Sequence, residues 1–427
     1  MQRKPRPSNQ GSLVQLADAA SIADLAQLAR RRVPRFAFDY VDGGAGEDAG
    51  VRRNQAAFER VLFQPRRLTG SPLPPKVTLL GRTYDQPFGI APVGLANVTW
   101  PGTDLALAGL ARRANIPYAL STFATTDIER AGAAAGEGGW FQLYVARDDV
   151  ITDDLLARAW AAGFRVLVFT VDVPAPSRRN RSIRNRLDIP LRWSPQLVLD
   201  CATHPRWALA TVRAGQPTLA NYTKYTGSGD LNAAGRFATR WNKYGLDWSD
   251  LTRLRGRWQG GFVVKGILAP EDARLAVSHG ADAVWVSNHG GRQLEAAPAS
   301  LEVLPQVRAA LPRSVPVLFD SGVRGGEDIV KALALGADMV LCGRAFMYGA
   351  GAGGAAGIAK AHEILSAEVA AALAQIGVAS MADLGRHVQW SQPPEFASGP
   401  APERTATFQP QIRSQADLGQ PVRKDAT

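Results

Sequence analysis

His289 directly follows an apolar run, AVWVSN (283–288), and is itself followed by Gly290, Gly291 and Arg292. An imidazole at the end of a buried strand can take a proton near neutral pH, which makes His289 a candidate general base. Arg292 brings a planar fork of donors that pairs bidentately with a carboxylate, which a lysine does less specifically. Asp172 ends another apolar run, RVLVFTVD (165–172). Its carboxylate suits either the orientation of an imidazole and the stabilisation of its cation, or the capping of a loop. Lys265, in FVVKGI (262–267), needs an anionic partner nearby to be tolerated in such a run. Two glycine-rich strings, DSGVRGG (320–326) and CGR (342–344), offer amides, Arg324 and Arg344 to a phosphate at a helix N-terminus. None of the five histidines (204, 279, 289, 362, 387) has a metal-ligand spacing, so no metal site is expected.

These residues need a scaffold, and the sequence indicates one. Eight short, continuously apolar runs alternate with helix-patterned segments from residue 88 onward: FGIAPVG (88–94), PYALST (117–122), WFQLYV (140–145), RVLVFTVD, FVVKGI, AVWVSN, PVLFDSG (316–322) and DMVLCG (338–343). Runs apolar on both faces indicate buried parallel strands. Amphipathic stretches such as 103–114, 148–161, 270–279 and 326–335 lie between them and end near a Gly or Asn. Strand then helix, eight times over, predicts an α/β fold of the (β/α)8 TIM-barrel type, whose active site forms at the C-terminal strand ends. The alternative, an open doubly wound sheet, calls for a glycine-rich first turn; GGAGED (43–48) precedes no strand-to-helix unit and reads as a loop. The organisation expected is a basic N-terminal segment with a helix near 22–31 (1–35), a barrel (36–390) with an insertion at 174–250 after the fourth strand, and a polar, mobile tail (391–427).

The net charge of +11 favours contact with something anionic, either nucleic acid, an acidic membrane surface or an acidic substrate. Arginines are densest from 178 to 192, and Trp193, Trp207 and several leucines follow them. Such interleaving suits peripheral membrane contact through 178–212, with rings at headgroup level and arginines on anionic lipid; the other reading is a packed subdomain or oligomer contact. No run of about 18 apolar residues could span a bilayer. The first 35 residues lack a secretory core, and two cysteines, Cys201 and Cys342, form no disulfide framework. A cytoplasmic location is expected, and no aromatic-stacking or groove-reading motif points to nucleic acid.

Taken together, FDYVDGGAGED (38–48), IAPVGL (90–95), FQLYV (141–145), TVDVP (170–174), VKGI (264–267), SNHGGRQL (287–294), DSGVRGG and CGR resemble the FMN-dependent 2-hydroxy acid dehydrogenases and oxidases. The resemblance runs in order from about residue 15 to 390. It implies FMN as cofactor, a small 2-hydroxy acid as substrate, and a tetramer. By it, His289 takes the proton with Asp172 behind it, Tyr144 faces the substrate hydroxyl, and Tyr40, Arg179 and Arg292 grip the carboxylate. It places Val93, Gly94, Ser121, Gln142, Thr170, Lys265 and Ser287 along the flavin, Asp320 at the ribityl chain, and Gly322, Arg324, Gly343 and Arg344 at the phosphate.

Two positions depart from the family's look. Val93 stands where many relatives have Thr, and Phe123 is bulky where mandelate enzymes tend to be small, which counts against a large aromatic substrate. Conversely, HPRW and LANY in the insertion look like the membrane-associated mandelate and lactate dehydrogenases, and Gly94 like the dehydrogenase branch. That implies a membrane quinone as electron acceptor and a place on the inner face of the cell membrane. The alternatives are a soluble oxidase reducing O2 to hydrogen peroxide, another FMN barrel enzyme such as an isomerase, or a catalytically silent binding module.

Overall fold

The structure, a computed structural model, describes residues 15–69, 75–185, 194–227, 230–378 and 380–391. Eight parallel strands close into a barrel: β1 (Phe88–Ile90), β2 (Tyr118–Ser121), β3 (Gly139–Leu143), β4 (Val166–Thr170), β5 (Gly261–Ile267), β6 (Ala283–Val286), β7 (Val317–Phe319) and β8 (Met339–Cys342), with β8 pairing back onto β1. The eight apolar runs are these strands. Their composition explains the closure, since nearly every strand residue is buried and an open sheet would leave an edge unpaired.

Side-chain parity divides the core in two. Ala119, Trp140, Val168, Val263, Trp285, Leu318 and Leu341 point into the barrel and form one apolar cluster. Their neighbours Leu120, Phe141, Phe169, Phe262, Val264, Val284, Phe319 and Val340 join the outer cluster that meets the helices. Each such large side chain stabilises the fold by about 1.5–3 kcal/mol on burial. A hairpin, Val77–Leu79 with Arg82–Tyr84, covers the inner cluster: Tyr84 packs edge-on to Trp140, whose indole N–H donates to its hydroxyl at 3.1 Å.

The helices run in chain order. Before the barrel come α1 (Ile22–Arg32), α2 (Arg35–Asp42) and α3 (Ala49–Glu59). Ser21 and Asp24 form a capping box that starts α1. Between the first four strands lie α4 (Thr103–Arg113), α5 (Ile128–Ala135) and α6 (Asp149–Ala161). Residues 171–260 separate β4 from β5 and carry α7 (Asn180–Arg184), α8 (Pro195–Ala202), α9 (Pro205–Ala214), α10 (Leu231–Trp241) and α11 (Trp248–Arg257). The remainder are α12 (Pro270–Ser278), α13 (Ser300–Ala309), α14 (Gly326–Ala334), α15 (Arg344–Gly353) and α16 (Ala355–Ile376).

The insertion differs in detail from its expected membrane face. Trp207 is buried, edge-on to Phe36, and its indole N–H donates to the carbonyls of Val98 and Thr99. A ring with a buried N–H partner is a packing anchor, not a headgroup-level one. Trp193, Arg186 and Arg192 lie outside the described residues, as does the tail beyond Ser391. What α8 and α9 do expose is aliphatic: Val198, Leu199, Leu209 and Val212 are each more than half exposed. Among the described residues, no helix is long and apolar enough to cross a membrane.

Candidate active site

The parity of the strands places the site. Two residues beyond each inward apolar side chain comes an inward polar residue or glycine at the C-terminal end: Gln142 after Trp140, Thr170 after Val168, Lys265 after Val263, Ser287 after Trp285, Asp320 after Leu318, and Gly343 after Leu341. All of these but Ser287 line a cavity of about 610 Å³, whose walls also include Tyr40, Val93, Gly94, Ser121, Tyr144, Arg179, His289, Arg292, Gly322, Arg324 and Arg344. Of the site residues expected from sequence, Asp172 and Ser287 alone are not on its walls.

Asp172 stands behind His289, its Oδ1 2.9 Å from His289 Nδ1. Burial pushes the imidazole below its ordinary value against the opposing pull of Asp172, which leaves it neutral and ready to accept a proton at neutral pH. Burial alone would raise the Asp172 carboxyl, but His289 and Lys265 hold it below the usual carboxylate range. Gly266 makes this closeness possible. Its φ is +109°, the β5 register shifts there, and a Cβ would lie 2.5 Å from that of Asp172.

Ser287, expected along the flavin, serves instead as a hub in the wall. Its fully buried hydroxyl accepts from Lys265 Nζ at 2.8 Å and from the His289 amide at 3.0 Å, and donates to Asp320 at 2.6 Å. A hydroxyl has one proton and two lone pairs, so nothing is left over for a ligand. Lys265 therefore has the anionic partners that its burial demands, Asp320 at 3.2 Å and Asp172 at 3.9 Å.

The cations at the cavity are less satisfied. Arg292 spends Nη1 on the carbonyls of Tyr40 and Gly43, lies 5.1 Å from the Tyr40 ring, and has no acidic partner among the described residues. Burial and then Arg179 push its guanidinium well below the ordinary value, so an anion beside it would be strongly favoured. Among the described residues, the Arg179 side chain donates only to Ser177, at 3.2 Å. Tyr40 donates to the Gly94 carbonyl at 2.9 Å. Arg344 lines the cavity, but donates to the carbonyls of Val41, Gly290 and Gly43. Burial and Arg324 lower it to about 10.

The residues fit FMN. Gln142 Nε2 and Thr170 Oγ1 are buried on the cavity wall without a hydrogen-bond partner among the described residues, a donor and a hydroxyl suited to the polar edge of a flavin ring. At Gly343, a Cβ would meet nothing nearer than 3.8 Å, which leaves room for a group against the backbone at the start of α15. Further out, the walls are apolar: Phe123, its ring 4.8 Å from Tyr144 and 5.8 Å from Tyr222, together with Ile183, Leu219, Leu231 and Ala238.

Sequence reasoning missed the supports. Asn54 and Asn288 exchange two amide hydrogen bonds, at 2.8 and 2.7 Å, and tie the His289 loop to α3. Ser321 accepts from the Gly290 amide at 3.0 Å and donates to Asp320 at 2.7 Å. Asn54 is far from residue 288 along the chain and had no local signal; the asparagine inside SNHGG was visible but had no identifiable partner.

The chain matches the FMN-dependent dehydrogenase family over residues 29–391. It is similar to the (S)-mandelate dehydrogenase of Pseudomonas putida, with 40% identity over 85% of this chain and 92% of that protein. The L-lactate dehydrogenase of Caulobacter vibrioides is 39% identical over 86% and 97% of the two chains. Among solved structures, that of the monotopic membrane protein (S)-mandelate dehydrogenase superposes with a TM-score of 0.84 at 39% identity, over 87% of this chain and 99% of that one. The closed eight-stranded barrel of this chain thus superposes on that of a solved (S)-mandelate dehydrogenase, and the chain belongs to the FMN-dependent dehydrogenase family.

Proposed function

We propose that this protein oxidises an (S)-2-hydroxy acid, L-lactate or mandelate-like, to the 2-oxo acid with FMN, and passes the electrons to a membrane quinone. The observation that carries the reading is the His289–Asp172 pair opening onto the same cavity as Arg179 and Arg292, which have no acidic partner among the described residues.

FMN, when bound, supplies the two-electron acceptor. Gln142, Thr170 and Lys265 would hold its ring, and Gly322, Arg324, Gly343 and Arg344 its phosphate. The chain's own residues do the rest. Arg292 and Arg179 bind the substrate carboxylate; Arg292 keeps its other guanidinium nitrogens for this because Nη1 is committed to Tyr40 and Gly43. That contact fixes the α-carbon relative to His289. His289 Nε2 takes the hydroxyl proton, since Nδ1 faces Asp172, and Asp172 stabilises the imidazolium that forms. Tyr144, whose phenol burial and then Asp172 push far up, stays protonated and can donate to the substrate oxygen. The apolar outer wall of Phe123, Leu219 and Leu231 receives the substrate's hydrocarbon end and keeps water from the base.

Val198, Leu199, Leu209 and Val212 on α8 and α9 support peripheral contact with the inner face of the cell membrane, where a quinone is found. A tetramer and a cytoplasmic location belong to the same proposal, as do the division into segment 1–35, barrel 36–390, insertion 174–250 and tail 391–427. The test is anaerobic flavin absorbance of the holoprotein with L-lactate or (S)-mandelate, followed by a quinone analogue or oxygen. Bleaching by one acid with faster recovery on quinone is expected. Faster recovery on oxygen would instead establish the oxidase, and bleaching by neither acid would remove the proposed substrates.

A further inference from the structure

Among the described residues of the arginine-rich stretch after β4, Arg181 and Arg184 pair with acids between residues 39 and 48. Arg181 in α7 meets three aspartates of the α2–α3 segment: Nη1 lies 2.6 Å from Asp42 and 3.4 Å from Asp39, and Nη2 lies 2.6 Å from Asp48. Arg184 and Asn180 each reach Glu47 at 2.7 Å, Asn185 donates to Asp39 at 2.7 Å, and the Gly46 amide donates to the Arg178 carbonyl at 3.0 Å. The Tyr348 hydroxyl donates to the other oxygen of Asp42 at 2.6 Å. Residues 178–185 are therefore stitched to residues 39–48 by charged contacts, most of them converging on Arg181.

This stitching has a consequence at the cavity. Arg179 lies two residues before Arg181 and is bridged through its backbone to Gly46, yet its own side chain has no acidic partner among the described residues. The segment that anchors Arg181 also supplies the Tyr40 and Gly43 carbonyls that hold Arg292. Arg179 and Arg292 repel one another, so something must hold them facing one cavity. The three aspartates hold Arg181 on that same segment and are not on the cavity walls.

We propose that Arg181 is a positioning residue: its latch onto Asp39, Asp42 and Asp48 sets Arg179 beside Arg292 for the substrate carboxylate. The inference rests on the reading of Arg179 and Arg292 as the groups that bind that carboxylate. Arg181 is not on the cavity walls, and the proposal assigns its effect to Arg179, two residues away, rather than to Arg292.

The test is a double-mutant cycle on the holoenzyme with Arg179→Met, Arg181→Met and the pair. The readouts are kcat and KM for the hydroxy acid that bleaches the flavin, and the dissociation constant of oxalate from the flavin spectrum. Arg179→Met is expected to weaken oxalate at least about tenfold. Arg181→Met should raise KM and the oxalate constant about fivefold while kcat stays within about threefold, and Arg181→Lys should recover part of that loss. The double variant should match Arg179→Met within about twofold. Multiplying effects, or unchanged affinity in Arg181→Met alongside a weakened Arg179→Met, would overturn the latch. Unchanged affinity in Arg179→Met would instead bring down the site reading on which it rests. If Arg181→Met fails to fold, Arg181→Lys and Asp48→Asn carry the same comparison.

Discussion

Replacing Asp172 by Asn tests the proposed base most directly, because it removes a charge and little volume. Asp172 Oδ1 is 2.9 Å from His289 Nδ1, and its other oxygen has no hydrogen-bond partner among the described residues, with Lys265 3.9 Å away. A carboxylate and an imidazolium with charge centres about 4 Å apart interact by roughly 4 kcal/mol at an effective dielectric near 20. If half to all of the imidazolium charge has developed in the transition state, the loss is about 2–4 kcal/mol, or roughly 30- to 1,000-fold in rate. The sign of the pH effect also follows. Burial lowers the His289 value and Asp172 raises it, so removing Asp172 leaves burial unopposed. Because the neutral imidazole is the active form, the acid limb of kcat/KM should move to lower pH while the plateau falls. Anaerobic stopped-flow of flavin reduction across pH 5–9, with FMN content measured in parallel, checks both. A plateau within about threefold of wild type, or a limb that moves to higher pH, would refute the assignment of Asp172 as the group that supports the base.

Other expectations follow from the same geometry. Arg292→Met should raise KM and lower kcat together, with kcat/KM down by about 10²- to 10³-fold in steady-state assays, since the cation both binds the carboxylate and aligns the α-carbon with the base, an alignment needed most in the transition state. Asp104 is fully buried; burial raises its value to about 6 against hydrogen bonds from Thr125 and Thr126. A carboxyl whose value is raised by folding contributes stability that is complete below about pH 4 and lost as pH rises through 6, a change of roughly 3 kcal/mol. Denaturant unfolding at several pH values should therefore show wild type losing ground to Asp104→Asn between pH 4 and 7, and parallel curves would refute the shift. Leu199→Glu with Val212→Glu should cut binding to anionic vesicles at least about 100-fold, since two exposed aliphatic side chains lose about 1.5–3 kcal/mol each. Flavin reduction should be unchanged, and undiminished sedimentation with vesicles would argue against this face.

The barrel was legible because its strands are buried on both sides and so announce themselves as unbroken apolar runs. Strand ends such as Gln142, Thr170 and Lys265 were legible for a related reason: a polar side chain at the end of such a run has either the cavity or nothing to face. Ser287 shows the limit. It follows the inward Trp285 by two residues as Lys265 follows Val263, but its reach is short, and Lys265, His289 and Asp320 consume its hydroxyl. Trp207 shows another. Composition could place tryptophan and arginine together in the insertion, but only the α9 packing decides that the ring turns in towards Phe36 while Leu209 and Val212 turn out. The hairpin over the inner core and the Val61–Phe63 pairing with Val388–Trp390 were too short to carry periodicity. Contacts between distant acids and arginines, Asp42 with Arg181 above all, leave no local trace at all.

Two of the seven described non-glycine residues with left-handed φ stand where the chemistry is proposed. His289 has φ +57° and Ser321 φ +88°, left-handed values that L-residues avoid at a cost of about 1–3 kcal/mol each. Both follow strands of the barrel, where the chain must double back to aim a side chain over the mouth. Each strained turn is bonded in place: the Gly291 amide to Asn288, the Gly290 amide to Ser321, and Asn288 to Asn54 on α3. Gly291 must remain glycine, since at φ +73° a Cβ would come within 2.6 Å of the Val51 amide nitrogen. The N-terminal helices are therefore more than a cover on the barrel. Through Asn54, Val51 and the carbonyls of Tyr40 and Gly43, they hold the loop that carries both the base and Arg292 in a conformation that this short loop would not keep unaided.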